Sequence, residues 1–282
     1  MDARQTLRDA EEKVSSKICF VGAGAMGSAA IRGLLKNEVY DHGQVVACDV
    51  SGDIRARVES DLGVSTTGDL DEAIQGADTV LVAVKPQDLA VAGASLRVGL
   101  LPDQLVISIV AGASLSTLRA VTGTDRVVRA MPNTPTQIGR GVTLWTAAHG
   151  IDEHDIKKTI RILGALGAEI FTKDERHLDM ATAVSASGPA YALLVLEAWI
   201  DAAVGIGLPR DLAYRLAIET IQGTMALVES GGRHPADLRG DVTSPGGTTA
   251  AALHEMERGA LRATFSNAIE AAYRRSRELG SG

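Results

Sequence analysis

Short apolar runs alternate with helix-like segments over the first part of the chain. Five of these runs are rich in Val and Ile and are hydrophobic at both alternate positions, namely KICFVG, QVVACDV, DTVLVAV, LVISIV and RVVRAMP. This pattern is typical of strands buried on both faces of a parallel sheet. Between them lie segments with helical spacing, such as AMGSAAIRGLLKN and SGDIRARVESDLG. The βαβαβ order predicts a doubly wound sheet with helices on both faces.

The strand pattern ends after Thr172. GVTLWTA and EIFT extend the strand series to that point, and the rest of the sequence has helical spacing. One of its segments, GPAYALLVLEAWIDAAVGIG, is apolar nearly all round, and a helix of that kind has to be surrounded. The helical region is small for enclosing it alone, so we expect a homodimer or a higher homo-oligomer.

These patterns predict an α/β fold in three parts. Residues 1–16 form a polar extension. Residues 17–172 form an N-terminal Rossmann-type doubly wound parallel sheet that binds a dinucleotide. Residues 173–282 form an all-helical C-terminal domain for substrate binding and dimerisation.

Composition and charge narrow the class of protein. The chain has 282 residues, of which 45% are hydrophobic and 22% charged, a normal globular balance. Its formal charge of −7, with no basic stripe, disfavours a nucleic-acid partner. We expect no membrane segment, since no run approaches the ~18 apolar residues of a membrane span. The N-terminal residues mix acids and bases, which does not resemble a signal peptide, so we expect a cytoplasmic protein.

Cysteine and histidine usage favours neither a disulfide framework nor a metal site. The two cysteines, Cys19 and Cys48, both fall in predicted strands, where buried reduced thiols are expected. The six histidines show no H-E-x-x-H motif and no close cluster with cysteine. We expect no bound metal, and we interpret the histidines as surface or capping residues.

The first strand is followed by a dinucleotide-binding motif. VGAGAMG contains G-x-G-x-x-G with Gly22, Gly24 and Gly27 at a strand–turn–helix junction. In this motif the first glycine permits the tight turn, the second lets the backbone approach a pyrophosphate, and the third permits close helix–strand packing. Asp49 follows Gly27 by 22 residues at the end of the second strand, where an acidic residue binds ribose hydroxyls.

Asp49 also bears on the choice between NADH and NADPH. Its carboxylate accepts hydrogen bonds from the ribose of NADH and repels the 2′-phosphate of NADPH. Arg55 and Arg57 lie close enough in sequence to complicate this interpretation, and a capping or turn role for Asp49 is the alternative. We expect either NADH or NADPH, with a preference for NADH.

Three further loops follow strands and are placed beyond the carboxyl ends of the sheet, where ligands bind. AVKPQD contains Ala83, Val84 and Lys85, and the lysine is a phosphate contact, a catalytic group or a solvated loop residue. IVAGAS follows the next strand. MPNTP contains Asn133, which is placed to donate a hydrogen bond near the nicotinamide, although a turn fixed by two prolines is an equal alternative.

A second anion site is predicted in the helical region. DVTSPGGTTAAALHEME interrupts the helical spacing with Pro245 and two glycines before the spacing resumes. Proline near the first turn and glycine beside it are typical of a helix N-terminus. Its unpaired N–H groups and the helix dipole suit a carboxylate or phosphate, although a plain turn and N-cap is the alternative.

Taken in order, VGAGAMG, AVKP, MPNTP, SASGPAY and DVTSPGGTT resemble the pyrroline-5-carboxylate reductase family. The resemblance runs from about Lys17 to the C-terminus. It implies NAD(P)H-dependent reduction of 1-pyrroline-5-carboxylate to L-proline, the last step of proline biosynthesis. It also implies a Rossmann domain followed by a helical domain that builds a dimer.

The resemblance assigns roles to individual residues. The cofactor-binding residues it implies, together with those from the motifs above, are Val21, Gly22, Ala23, Gly24, Ala25, Met26, Gly27, Asp49, Ala83, Val84, Lys85, Ala111 and Asn133. The substrate carboxylate is expected on Thr243, Ser244, Gly246, Gly247, Thr248 and Thr249. Thr249 matches the threonine whose hydroxyl faces the ring nitrogen, so it is the catalytic candidate.

Departures from the family pattern concern the cofactor. Asp49 stands where family members often carry Ser or an Asn-Arg pair, and the Asp69–Leu70 region replaces a frequent asparagine. Both departures put the usual NADPH preference in doubt. Asp241 stands where some relatives have Asn.

Two other functions fit a Rossmann sequence. A β-hydroxyacid dehydrogenase depends on a lysine in its helical domain, and this chain has no lysine after Lys173. A non-catalytic dinucleotide-sensing protein has no need of SPGGTT as a second ligand site. Binding of a cofactor without binding of a proline analogue is the observation that favours the sensor.

Overall fold

The computed structural model describes residues 17–280, so the extension predicted for residues 1–16 lies outside the described residues. The larger of two compact units is built on an eight-stranded sheet. Its strands are β1 (Lys17–Val21), β2 (Val45–Cys48), β3 (Ser65–Thr67), β4 (Ala77–Val82), β5 (Leu105–Ser108), β6 (Val127–Met131), β7 (Gly141–Ala147) and β8 (Gly167–Phe171).

The strand order is β3-β2-β1-β4-β5-β6-β7-β8, and β1 to β6 run parallel. The chain starts in the middle of the sheet and moves outward in both directions, which is the doubly wound order of the Rossmann fold. Strands β4 and β5 are almost wholly buried, and separate apolar clusters pack on the two faces of the sheet. These observations confirm the predicted fold class.

The last two strands make the sheet mixed, which corrects the prediction of a parallel sheet for that edge. Strand β7 pairs antiparallel with β6, and β8 pairs parallel with β7. The connection from β6 to β7 contains only a 3-10 turn at Thr134–Ile138. A parallel neighbour requires a crossover of roughly a dozen residues or more, usually helical, so this short loop turns the chain back.

Helices cover both faces of the sheet. They are α1 (Ala25–Lys36), α2 (Gly52–Leu62), α3 (Leu70–Ile74), α4 (Leu89–Gly99), α5 (Leu115–Thr122), α6 (Glu153–Gly164) and α7 (Arg176–Ala181). Ser51, Ser114 and Asp152 precede α2, α5 and α6, and each side chain accepts a backbone N–H of the first turn. Such N-caps satisfy donors that the helix itself leaves unpaired, so these helices begin where short polar side chains allow.

The second unit is helical throughout and comprises Ser187–Ala272. Its helices are α8 (Gly188–Gly205), α9 (Arg210–Gly231), α10 (Pro235–Asp241), α11 (Thr248–Arg258) and most of α12 (Leu261–Gly280). The chain from Tyr273 onward groups with the sheet. The predicted boundary after residue 172 falls earlier than this division, because α7 and the π-helical turn Thr182–Ala186 are held to the sheet by polar contacts.

Apolar side chains of the helical unit are widely exposed. Its buried core is small and centres on Ile200, Ala213 and Ala217. Leu193 and Leu194 are about two-thirds exposed and Ile206 is 85% exposed. The segment Arg176–Gly205 is long and apolar enough to cross a membrane by length and composition alone, in contrast to the prediction of no such segment. An apolar surface of this extent is also typical of a protein–protein interface.

One buried cation connects α7 to the sheet. The side chain of Arg129 on β6 is 6% exposed, and its guanidinium pairs with Glu175 at 3.0 Å and with Asp179 at 2.5 Å. Glu175 also accepts the backbone N–H of Leu115, the first residue of α5, at 2.6 Å. Because a buried charge is costly unless it is paired, these contacts hold β6, α5 and α7 together.

We expect Arg129→Met to lower the free energy of unfolding by about 2–3 kcal/mol. This loss is somewhat smaller than that for breaking a fully buried ion pair, because both carboxylates are partly exposed and can rehydrate. Urea unfolding followed by circular dichroism measures the change. Arg119→Met is the matched control, since Arg119 pairs with Asp125 on the surface and should cost at most about 1 kcal/mol. Equal losses in the two variants would contradict the structural role of Arg129.

Candidate active site

The turn between β1 and α1 requires glycine at two positions. Gly22 has φ +95°, and a Cβ there would lie 2.8 Å from the carbonyl oxygen of Ala83. A Cβ on Gly27 would lie 2.3 Å from the carbonyl oxygen of Gly22. Only residues without a side chain permit this approach, so α1 begins immediately above the carboxyl ends of β1 and β4.

Gly24 has a different environment from the other two glycines. It is the N-cap of α1, and no side chain caps this helix. A Cβ on Gly24 would meet no atom within 4 Å. The first N–H groups of α1 and the positive end of its dipole therefore face open space, an arrangement that suits an anion.

A cleft of about 310 Å³ adjoins this helix end. It is formed at the carboxyl ends of β1, β4, β5 and β6, where ligands of open α/β sheets bind. The lining residues are Gly24, Ala25, Met26, Ala83, Val84, Lys85, Pro86, Ile109, Ala111, Met131 and Pro132. Most of the predicted cofactor residues therefore line a single cleft. Val21, Gly22, Ala23 and Gly27 do not line it and form the turn that supports it.

Four lining residues were not singled out from the sequence: Pro86, Ile109, Met131 and Pro132. All four lie in the quoted loops, beside residues that were chosen. The sequence signal for these four residues was their position at or shortly after the end of a buried strand, where an apolar side chain can face a ligand.

Asp49 holds backbone N–H groups in the structure. One carboxylate oxygen accepts the N–H of Ala23 at 2.8 Å, and the other accepts the N–H of Ser51 at 2.9 Å. Arg55 donates to the carbonyl oxygen of Asp49 at 2.6 Å. The turn role that the sequence left open is therefore present, and each carboxylate oxygen retains a further acceptor site for a ribose hydroxyl.

Asn133 is engaged through both ends of its amide. Its Oδ1 accepts the N–H of Val142 at 2.9 Å, and its Nδ2 donates to the carbonyl oxygen of Ser185 at 3.1 Å. The side chain is 9% exposed and does not line the cleft. The exposed Lys85, in contrast, does line it.

The predicted substrate loop lies in the helical unit and forms the N-terminus of α11. Gly246 has φ +70°, and Gly247 is the N-cap, with no side chain capping the helix. Thr248 and Thr249 are the first helical residues, so their N–H groups have no intrahelical acceptor. Thr243 uses its own N–H and hydroxyl to bond Gly240 and Arg239. This end of α11 therefore has the properties of an anion site.

The segment before this loop is tied by an ion pair. Arg233 pairs with Asp241 at 2.6 Å, and this contact lowers the pKa of the Asp241 carboxyl. His234 accepts the N–H of Ala236 and so caps α10, as expected for a capping histidine. The loop thus follows a short helix that is stabilised at both ends.

The two cysteines are buried free thiols, and burial raises the pKa of both Cys19 and Cys48. A raised pKa keeps them protonated and poorly nucleophilic. Within residues 17–280, no group of three or more His, Cys, Asp or Glu side chains is placed to hold a metal ion.

Both parts of the chain match known sequence families. Residues 175–279 match the family described as pyrroline-5-carboxylate reductase dimerisation. Residues 17–112 match the family described as NADP oxidoreductase, coenzyme F420-dependent.

Individual relatives match over nearly the whole chain. Pyrroline-5-carboxylate reductase of Arabidopsis thaliana is 39% identical over 94% of this chain and 96% of its own length. The structure of a pyrroline-5-carboxylate reductase from Coxiella burnetii superposes with a TM-score of 0.85 at 33% identity, covering 94% and 98% of the two chains. The structure of a pyrroline carboxylate reductase of Plasmodium falciparum with NADP bound superposes with a TM-score of 0.88 at 29% identity. The match covers 95% of this chain and 100% of the other.

The different environments of Gly24 and Gly27 make a matched pair of variants. We expect Gly24→Ala to weaken dinucleotide binding about tenfold, or about 1.4 kcal/mol, because its methyl group would occupy the open space at the helix end. Stability should change by no more than about 1 kcal/mol. Gly27→Ala should instead destabilise the fold by about 1–3 kcal/mol, since its Cβ meets backbone. Calorimetric titration with NADPH and thermal unfolding test both; unchanged affinity in Gly24→Ala would contradict the assignment.

Proposed function

Because the chain belongs to the pyrroline-5-carboxylate reductase family and catalyses NAD(P)H-dependent reduction of 1-pyrroline-5-carboxylate to L-proline, we propose a division of roles between two helix N-termini. The N-terminus of α1 binds the cofactor pyrophosphate, and the N-terminus of α11 binds the substrate carboxylate. One observation carries this proposal: both helices begin at a glycine and lack a side-chain cap.

Helices α4, α7, α8 and α9 also lack a side-chain cap, but among the described helices with an assigned N-cap only α1 and α11 have a glycine at that position. Helices α2, α5 and α6 all begin with a Ser or Asp side chain that accepts a first-turn N–H. Such a side chain would compete with an anionic ligand for the same donors. Glycine at positions 24 and 247 leaves those donors available, which supports an anion at each end.

We assign the cofactor to the cleft at the carboxyl ends of the strands. The first-turn N–H groups of α1 bind the pyrophosphate, and Ala83, Val84, Lys85 and Ala111 form the adjoining wall. Asp49 binds the ribose while it keeps the turn in place through Ala23. The nicotinamide supplies the hydride when the cofactor is bound.

The backbone N–H groups of Ser244, Gly246, Thr248 and Thr249 bind the substrate carboxylate, and Gly246 and Gly247 permit its close approach. Pro245 has no N–H, and the N–H of Gly247 bonds the Ser244 carbonyl at 3.0 Å. Thr243 shapes the loop, since its hydroxyl and N–H are already bonded within it. The Thr249 hydroxyl accepts the N–H of the protonated imine and so orients the ring. Hydride addition at C5 then gives the neutral amine of L-proline, and no further proton transfer is required.

Alignment accounts for most of the catalysis in this mechanism. A protonated imine carbon is already electrophilic, so the chain has to hold the ring and exclude other orientations. Correct orientation contributes roughly 7–11 kcal/mol in favourable cases. This explains why the predicted site contains hydrogen-bond donors and glycines rather than a pair of acidic and basic side chains.

The exposed apolar surface of the helical unit supports assembly as a homodimer, or as a higher homo-oligomer built from dimers. Leu193, Trp199 and Ile206 are among its exposed side chains. Residues 175–279 match a dimerisation family, which supports a second copy of this chain as the cover. Unpaired buried cysteines support a reducing compartment such as the cytoplasm.

Thr249→Ala tests the substrate assignment. We expect kcat/KM for pyrroline-5-carboxylate to fall about tenfold, equivalent to about 1.4 kcal/mol of lost transition-state stabilisation, with cofactor affinity unchanged. Thr249→Ser should retain most activity because it keeps the hydroxyl. Thr224→Ala is the control, since the Thr224 hydroxyl only bonds the Thr220 carbonyl within α9. Wild-type kinetics in Thr249→Ala would rule out its proposed role.

Asp49→Ser tests the cofactor preference. Removing the carboxylate removes its repulsion of a 2′-phosphate, so the ratio of kcat/KM with NADPH to that with NADH should rise about tenfold. Initial rates with both cofactors, measured side by side on wild type and variant, give this ratio. A ratio that does not change would leave Asp49 with only its structural bonds to the N–H groups of Ala23 and Ser51.

A further inference from the structure

A proline near the start of α8 leaves one backbone carbonyl without a helical donor. In an α-helix the carbonyl of Ser185 would accept the N–H of residue 189, four positions later. Residue 189 is Pro189, which has no N–H. The next N–H, that of Ala190, bonds the carbonyl of Ser187 at 3.0 Å. The carbonyl of Ser185 therefore needs a donor from elsewhere.

Asn133 supplies that donor. Its Nδ2 lies 3.1 Å from the Ser185 oxygen, and its Oδ1 accepts the N–H of Val142 on β7 at 2.9 Å. The two partners are a carbonyl and an N–H, so they define which end of the amide faces which group. Asn133 is 9% exposed. Its side chain joins Ser185, which is 52 residues later in the sequence, to Val142, which is nine residues later.

Asn133 joins the wall of the cofactor cleft to the segment that ends the first unit. Met131 and Pro132, directly before it, line the cofactor cleft. Ser185 belongs to the π-helical turn Thr182–Ala186, which is the last part of the first unit before the chain enters α8. Arg129 already ties α7 to β6, so Asn133 provides a second polar contact at the opposite end of the same segment.

We propose that Asn133 is a positioning residue for hydride transfer, acting through the Ser185 carbonyl. By bonding the Ser185 carbonyl and the Val142 N–H, it holds in place the loop whose residues Met131 and Pro132 line the cofactor cleft. The inference rests on the proposed function. Misplacement of about 1 Å costs on the order of 100-fold in rate, so the loss of one hydrogen bond here has a measurable effect on kcat.

Asn133→Asp provides the test. The ionised carboxylate still accepts the Val142 N–H but cannot donate to the Ser185 carbonyl oxygen, which it repels. Above about pH 8 we expect kcat to fall about tenfold relative to wild type, with the cofactor Kd within about twofold. The protonated carboxyl can donate to Ser185, and its burial favours that form. The ratio of variant to wild-type kcat should therefore rise several-fold as the pH is lowered to about 6.

Asn37→Asp is the matched control. Asn37 Nδ2 also donates to backbone carbonyls, those of Gly33 and Ala165, but it lies at the C-terminal end of α1, away from the cleft. It should keep the wild-type kcat at every pH. An Asn133→Asp variant with wild-type kcat, or with a pH-independent loss matched by Asn37→Asp, overturns the positioning role.

Asn133→Ala carries the test if the aspartate variant does not fold. It removes both hydrogen bonds without adding a charge, and a kcat lowered about tenfold at unchanged cofactor affinity supports the role. An unchanged kcat overturns it. Wild-type turnover measured beside the variants separates the two levels of inference: an inactive wild type removes the proposed function and this role with it, whereas an active wild type with unaffected variants removes this role alone.

Discussion

The backbone contact between the β1–α1 turn and the end of β4 is the constraint on which the rest of the structure depends. Gly22 approaches Ala83, and Gly27 approaches Gly22, at distances that exclude any side chain. The N–H of Gly22 also bonds the carbonyl of Cys48, which joins the same turn to the end of β2. Because these segments meet through backbone atoms, α1 starts at the edge of the sheet and directs its unpaired N–H groups toward the cleft.

Polar side chains with backbone partners hold the remaining loops around that point. Asp49 bonds the N–H of Ala23, Glu175 bonds the N–H of Leu115, and Asn133 bonds Ser185 and Val142. Each contact joins segments separated in sequence, and most of these side chains are at least partly buried. These contacts hold the loops near the cleft in place, which lowers the entropic cost of orienting a ligand there.

Each of the two units contains a helix N-terminus that has glycine as its N-cap residue and no side-chain cap. The sheet unit has an extensive apolar core on both faces of the sheet, and this core accounts for its stability. The helical unit buries few large side chains and exposes many, so its stability depends on further apolar contacts. The loop before α11, to which we assign the substrate carboxylate, belongs to this small unit.

The sequence by itself determined the strand and helix pattern, the three glycines of the first turn and the interruption before α11. These are local features: buried parallel strands need continuous apolar runs, and tight turns need glycine. Only the tertiary structure decided which polar side chains form hydrogen bonds with distant parts of the chain. Asn133, which the sequence predicts to lie near the nicotinamide or in a turn, bonds partners that are nine and 52 residues away. The antiparallel β7 and the apolar lining at Ile109 and Met131 were likewise decided by long-range packing, because short-range patterns specify elements and not their neighbours.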